Sequence, residues 1–153
     1  MPAPSAAVKT PRRRRAREIA LQALYRLDMN PTTSPEEVDR FLAARLADRG
    51  LEAFARGLVA GVQERRQDLD ALLDSRADNW RVARMAATDR AILRIAVHEL
   101  ETGGVPGPVV ADEAIELAKR YGTADSSRFV AGLLGRLLAD RATPPTPSTP
   151  PTP

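Results

Sequence analysis

The densest concentration of functional side chains in this sequence is the run RRRRARE, Arg12–Glu18. Arginine's planar fork donates paired hydrogen bonds to phosphate oxygens and stacks on nucleobases, so five guanidiniums in six positions point to RNA. On a helix, Arg13 and Arg17 share a face at i,i+4 and Arg14 lies one step round. Tyr25, two turns beyond Arg17, falls on roughly the same side and offers a stacking surface beside the charge. Other chemistry is thinly represented. Cysteine is absent, which removes disulfides, thiolate nucleophiles and cysteine metal sites. The one histidine, His98, sits in HELE (98–101), which lacks the second histidine of a zinc H-E-x-x-H motif. Between Val97 and Leu100 it reads as a packed side chain. Asp112, Glu113 and Glu116 read as acids in the first turns of a helix, where they complement its dipole. No strand precedes a glycine-rich loop, so no phosphate cradle is expected. The residues predict a binding protein with no catalytic centre, cofactor or metal.

Charge distribution sharpens this. Residues 1–17 hold six basic residues and no acid, while the other 136 hold 17 basic against 20 acidic. A basic end on a mildly acidic body implies an anionic partner held at that end. The arginines also run straight into an apolar helix, so the backbone holds them in place.

The elements that position them are helical. Ile19, Ala20, Ala23, Leu24 and Leu27 form one stripe, with Leu21 and Tyr25 in another beside it, so the first helix is central. Pro11 suits its first turn, with Thr10 as cap. Ser34-Pro35-Glu36-Glu37 reads as a capping box opening a second helix through Val38, Phe41, Leu42 and Leu46, which Gly50 breaks. Leu51 to Leu73 keep one register over about six turns. Trp80, Val82 and Met85 read as anchors of an irregular segment. Thr88 caps a helix through Leu100, residues 102–108 form a loop, and Val110–Tyr121 form a helix stopped at Gly122. The last helix starts at about Asp125, its N-cap. No segment alternates as a strand. The expected fold is all-α, about seven helices packed antiparallel. Proline marks the borders: a flexible basic arm over 1–11, a helical domain over 12–141, and a disordered Pro/Thr-rich tail over 142–153. No apolar run reaches the roughly 18 residues of a membrane span.

The segments RRRAREIALQALY (13–25), DRAILRIAVHEL (89–100), VP (105–106), EAIELAKRYG (113–122) and DSSRFVAGLL (125–134) resemble, in order and spacing, those of the NusB family of bacterial transcription antitermination factors. The resemblance covers residues 12–138. It implies a fold of two three-helix subdomains, and a cytoplasmic protein that binds boxA RNA together with NusE, a small-subunit ribosomal protein. The complex helps RNA polymerase read through terminators, chiefly in ribosomal RNA operons. Carried over by position, the implied RNA contacts are Arg13, Arg14, Arg15, Arg17, Tyr25, Asp125, Arg128 and Phe129, and the implied NusE contact is Asp89. A carboxylate such as Asp125 would meet a base edge or sugar hydroxyl, since phosphate repels it. Ala131 and Pro108 stand where the family often has a polar residue. The family's oligomeric states vary, a homodimer included.

Two other functions use the same kind of domain. Some ribosomal RNA cytosine methyltransferases carry a NusB-like N-terminal part, but they also need a cofactor-binding α/β domain and a catalytic cysteine, neither of which this chain has. A ribosome-assembly chaperone for NusE would use the same surfaces as an antitermination factor.

Overall fold

The structure is a computed structural model and describes residues 6–142 apart from Asn79. These residues form α1 (Ala6–Met29), α2 (Pro35–Arg45), α3 (Arg49–Glu64), α4 (Arg66–Arg76), α5 (Ala87–Thr102), α6 (Gly107–Tyr121) and α7 (Ser126–Ala142). A single 3-10 turn, Val82–Arg84, precedes α5, and no strand occurs among the described residues. The proline-rich tail over 143–153 lies outside them.

Helices α1, α2 and α3 make one unit and α5, α6 and α7 the other, with α4 reaching from α3 to α5 and α7. Ion pairs give the sense of the packing. Arg12 meets Asp48 before α3, and Asp28 near the end of α1 meets Arg66 at the start of α4. So α1 and α3 run parallel and α2 returns beside them. Arg17 with Glu99, and Asp28 with Arg90, make α1 antiparallel to α5. As its sequence requires, α1 is central: Ala16, Ile19, Ala20, Leu21, Ala23 and Leu24 are all buried. It packs against both units. Ile92, Leu93, Ile95, Val130, Leu133 and Leu134 complete the core from the other side. Each such leucine, cut to alanine, would cost about 2–5 kcal/mol.

Several boundaries differ from the sequence reading. Helix α1 begins at Ala6, taking in Pro11 and residues assigned to the arm. The break before α3 is made by Asp48, whose Oδ1 accepts the Leu51 N–H at 3.0 Å, and Gly50 lies inside the first turn. The stripe from Leu51 to Leu73 spans two helices, parted at Arg65 (φ −104°, ψ 15°). The Arg65 N–H still bonds Gly61 and its carbonyl still accepts from Leu69, so the apolar register survives the break. Helix α5 starts at Ala87 after Ala86, with Thr88 inside the first turn making no cap bond. Helix α6 already begins at Gly107, within the segment read as loop, because Pro106 and Pro108 suit a helix start. Ser34 caps α2 as its capping box predicts, accepting from Glu37.

Candidate nucleic-acid interface

The arginines at the start of α1 do not stand free. Arg12 pairs with Asp48 at 2.7 Å, and Arg15 with Glu18 at 3.3 Å. Arg14 gives Nε and one terminal nitrogen to Glu113 at 3.0 and 2.9 Å. That carboxylate, first by hydrogen bonding and then by charge, raises the Arg14 pKa still further. Arg17 grips Glu99 with two bonds of 2.7 Å, and its side chain is only 3% exposed. Arg13 is held differently, its guanidinium 4.6 Å from the centre of the Phe54 ring, which Arg17 also approaches at 5.2 Å. Five cations thus meet four carboxylates, and the net field at this end is far weaker than the sequence suggests.

The arginines therefore divide. Arg12, Arg14 and Arg15 keep exposed side chains (66, 41 and 55%), and a guanidinium bound on one edge retains N–H donors on the other. Arg17 does not. The expectation of an exposed arginine at this position is corrected: Arg17 continues the stripe of Ala20, Leu21 and Leu24 one turn back, all of them buried. Glu99, the first acid of HELE, is its partner, and Glu113, near the middle of α6 and past its first turn, is the buried partner of Arg14. Neither acid serves a helix dipole. Glu18 is buried too, accepting from Arg15, Arg120 and the Tyr121 hydroxyl. This ties the end of α6 to α1.

Tyr25 is 43% exposed. It lines a groove of about 470 Å³ with Gln22, Arg26, Phe41, Thr88 and Tyr121. On the other side of the start of α5 lies a second groove of about 410 Å³. Asp89, Asp125, Arg128 and Phe129 all line it, so four residues implied by the sequence resemblance share one depression. The two grooves adjoin, since Thr88 and Tyr121 line the first and Asp89 and Thr123 the second. The α6–α7 turn shapes this junction. A Cβ on Gly122 would lie 2.5 Å from Ser126, so only glycine allows the close approach. Ser126 Oγ accepts the Thr123 N–H at 2.9 Å, and Asp125 is left exposed with its carbonyl bonded to the Phe129 N–H. Arg128 is exposed, while Phe129 is partly buried against the core.

The sequence reading missed Trp80 as a surface residue. Val82 and Met85 are buried anchors, but Trp80 is 57% exposed and lines the second groove. The segment is held without it. Asp74 Oδ1 accepts the Val82 N–H at 2.7 Å, and Arg90 donates to the Val82 and Met85 carbonyls. A lone tryptophan beside arginines, Trp80-Arg81, was the available signal.

His98 is packed against Gly61, where a Cβ would lie 2.2 Å from the ring. Burial, and then Arg65, holds its pKa below 6.5, and its Nδ1 has no partner. Among the described residues no group of histidines and acids could hold a metal, and no helix is long and apolar enough to cross a membrane.

Known proteins match this arrangement along most of its length. A transcription antitermination protein NusB from Symbiobacterium thermophilum is 46% identical over 136 residues, 82% of this chain and 88% of its own. The NusB of T. maritima superimposes with a TM-score of 0.75 at 31% identity, covering 92% of this chain and 94% of that one. A chain from a crystal structure of the antitermination factors NusB and NusE in complex with dsRNA shares the fold, with a TM-score of 0.75 at 22% identity over 84% of this chain and 96% of its own. Residues 14–139, nearly all of the helical part, match the NusB family; the chain belongs to it.

Proposed function

We propose that this protein is a transcription antitermination factor that binds boxA RNA together with NusE and promotes read-through by RNA polymerase in ribosomal RNA operons. It acts in the cytoplasm and catalyses no reaction. The observation that carries this reading is the pair of adjoining grooves at the start of α5, with exposed Tyr25 in one and Trp80, Asp125, Arg128 and Phe129 in the other. Relatives named as antitermination proteins share the chain over most of its length.

The residues divide the work by their chemistry. Arg13, Arg14 and Arg15 supply N–H donors to phosphates, which fix the strand without reading it. Tyr25 and Phe129 offer ring faces to unstacked bases. Arg128 can stack on or bond a base edge, and Asp125 accepts from a base amine or a 2′-hydroxyl. Arg17 holds the α1 start against α5 through Glu99 and touches no RNA. Asp89 lines the Trp80 groove and takes a donor from NusE there.

Titration of boxA and scrambled RNA with and without NusE, at fixed salt, tests the reading. NusE should tighten boxA binding and leave scrambled RNA weak. An unchanged boxA affinity on adding NusE would overturn it.

A further inference from the structure

The arginines that carry no carboxylate are not mainly those of the first run. Arg26, Arg40 and Arg45 form no ion pair among the described residues, and all three line a groove of about 520 Å³ between α1 and α2. The Phe41 ring holds two of them, Arg45 at 3.8 Å and Arg26 at 4.9 Å from its centroid. An aromatic ring fixes a guanidinium as a carboxylate does, but it leaves the positive charge uncancelled. Glu37 is the one acid lining this groove; Asp39, on the same helix, is taken by Arg56. Exposed apolar surface lies alongside: Tyr25 is 43% and Met29 55% exposed. The groove also shares Tyr25, Arg26, Phe41 and Arg45 with the groove of the proposed RNA surface.

We infer that the α1–α2 groove is a further RNA subsite, taking unpaired nucleotides that continue past Tyr25 from the core element. Net positive charge, pre-positioned guanidinium planes and exposed apolar surface are what a single strand requires of a track. The inference rests on the RNA-binding function proposed above and extends it to a surface built by α2. Arg40 and Arg45 lie on α2 and are exposed; Arg45 is shared with the Tyr25 groove, and Arg40 stands apart from the residues assigned to the core element.

The test uses the full chain with NusE and three RNAs: the core boxA, and the same RNA with about six unpaired uridines added at either end. One overhang should tighten binding about tenfold and steepen its salt dependence, by about 0.7 in the log–log slope per added phosphate contact. The variant Arg40→Gln, at the one of the three arginines that lines this groove and not the Tyr25 groove, should bind the core RNA as the wild type does and lose most of the gain. Circular dichroism on the variant confirms the fold. Normal core binding with no gain from either overhang, or a gain that survives in the variant, would overturn the inference alone. Failure to bind the core RNA would overturn the proposed function and this extension with it. Arg40-dependent binding of oligo-glutamate, without any overhang gain, would reassign the groove to an acidic protein.

Discussion

Replacing Arg17 by alanine should destabilise the protein far more than replacing its neighbour Arg15. The Arg17 guanidinium and the Glu99 carboxylate are 3 and 5% exposed and share two bonds of 2.7 Å. Removing one partner strands a carboxylate in the core, which costs about 3–5 kcal/mol. In a domain of this size each kcal/mol lowers the melting temperature by roughly 2–4 °C. Arg17→Ala should therefore melt about 10 °C early. Arg15 has a side chain 55% exposed, so Arg15→Ala should cost less than about 1 kcal/mol. Replacing the pair together, Arg17→Met/Glu99→Leu, removes both charges and should recover most of the loss. Thermal and urea denaturation measure the first three effects. RNA titration on the folded double variant then separates positioning from contact, since boxA affinity should survive there. Equal melting points for the two single variants would refute the burial reasoning. Lost affinity in a stable double variant would make Arg17 a direct RNA contact.

Three further outcomes are expected. Because burial lowers the His98 pKa below 6.5, folding favours its neutral form. That stability is complete above pH 6.5 and declines as pH falls towards the folded value, so melting points at pH 8 and pH 5 should differ more in the wild type than in His98→Gln. Gly61→Ala drives a methyl into the His98 ring, at 2.2 Å if nothing moves, and should cost about 1–3 kcal/mol by denaturation. His98→Ala in the same chain should relieve it. Trp80→Ala removes an exposed ring from the Asp89 and Asp125 groove, so the melting temperature should hold while NusE-dependent RNA binding weakens; unchanged binding would remove Trp80 from the surface.

The helices were legible because their apolar spacing is strong, and α1 could be placed at the centre from its broad apolar girth alone. What could not be read locally were the partners of the arginines. Glu99 and Glu113 lie 82 and 99 residues from Arg17 and Arg14. Before the helices are packed, one looks like part of HELE and the other like a dipole acid. The burial of Arg17 was accessible in principle, since it extends the stripe of Ala20, Leu21 and Leu24 by one turn. A guanidinium there simply outweighed the periodicity. The division at Arg65 carries neither proline nor glycine, and hydrogen bonds continue across it, so no local signal marks it. Trp80 was misplaced because a tryptophan is usually worth burying. Here Val82 and Met85 already fill the core, and Asp74 and Arg90 fix the backbone.

Pairing most of the α1 arginines with carboxylates has a consequence for recognition. A free run of five arginines would attract any polyanion, and its binding would fall steeply with salt. Asp48, Glu18 and Glu113 lower that undirected attraction, yet they hold Arg12, Arg15 and Arg14 in fixed orientations with donors left over. The free energy of binding then depends on geometry more than on net charge. A phosphate or base edge must arrive where the remaining N–H groups already point, and a misplaced strand gains little. Such a surface is selective but weak by itself, because few uncancelled cations remain at the α1 start to add long-range attraction. That weakness is consistent with the proposed dependence on NusE. It also bears on the cations proposed to act in the α1–α2 groove: Arg26, Arg40 and Arg45 would add affinity for flanking RNA only after the core element has set the register at Tyr25.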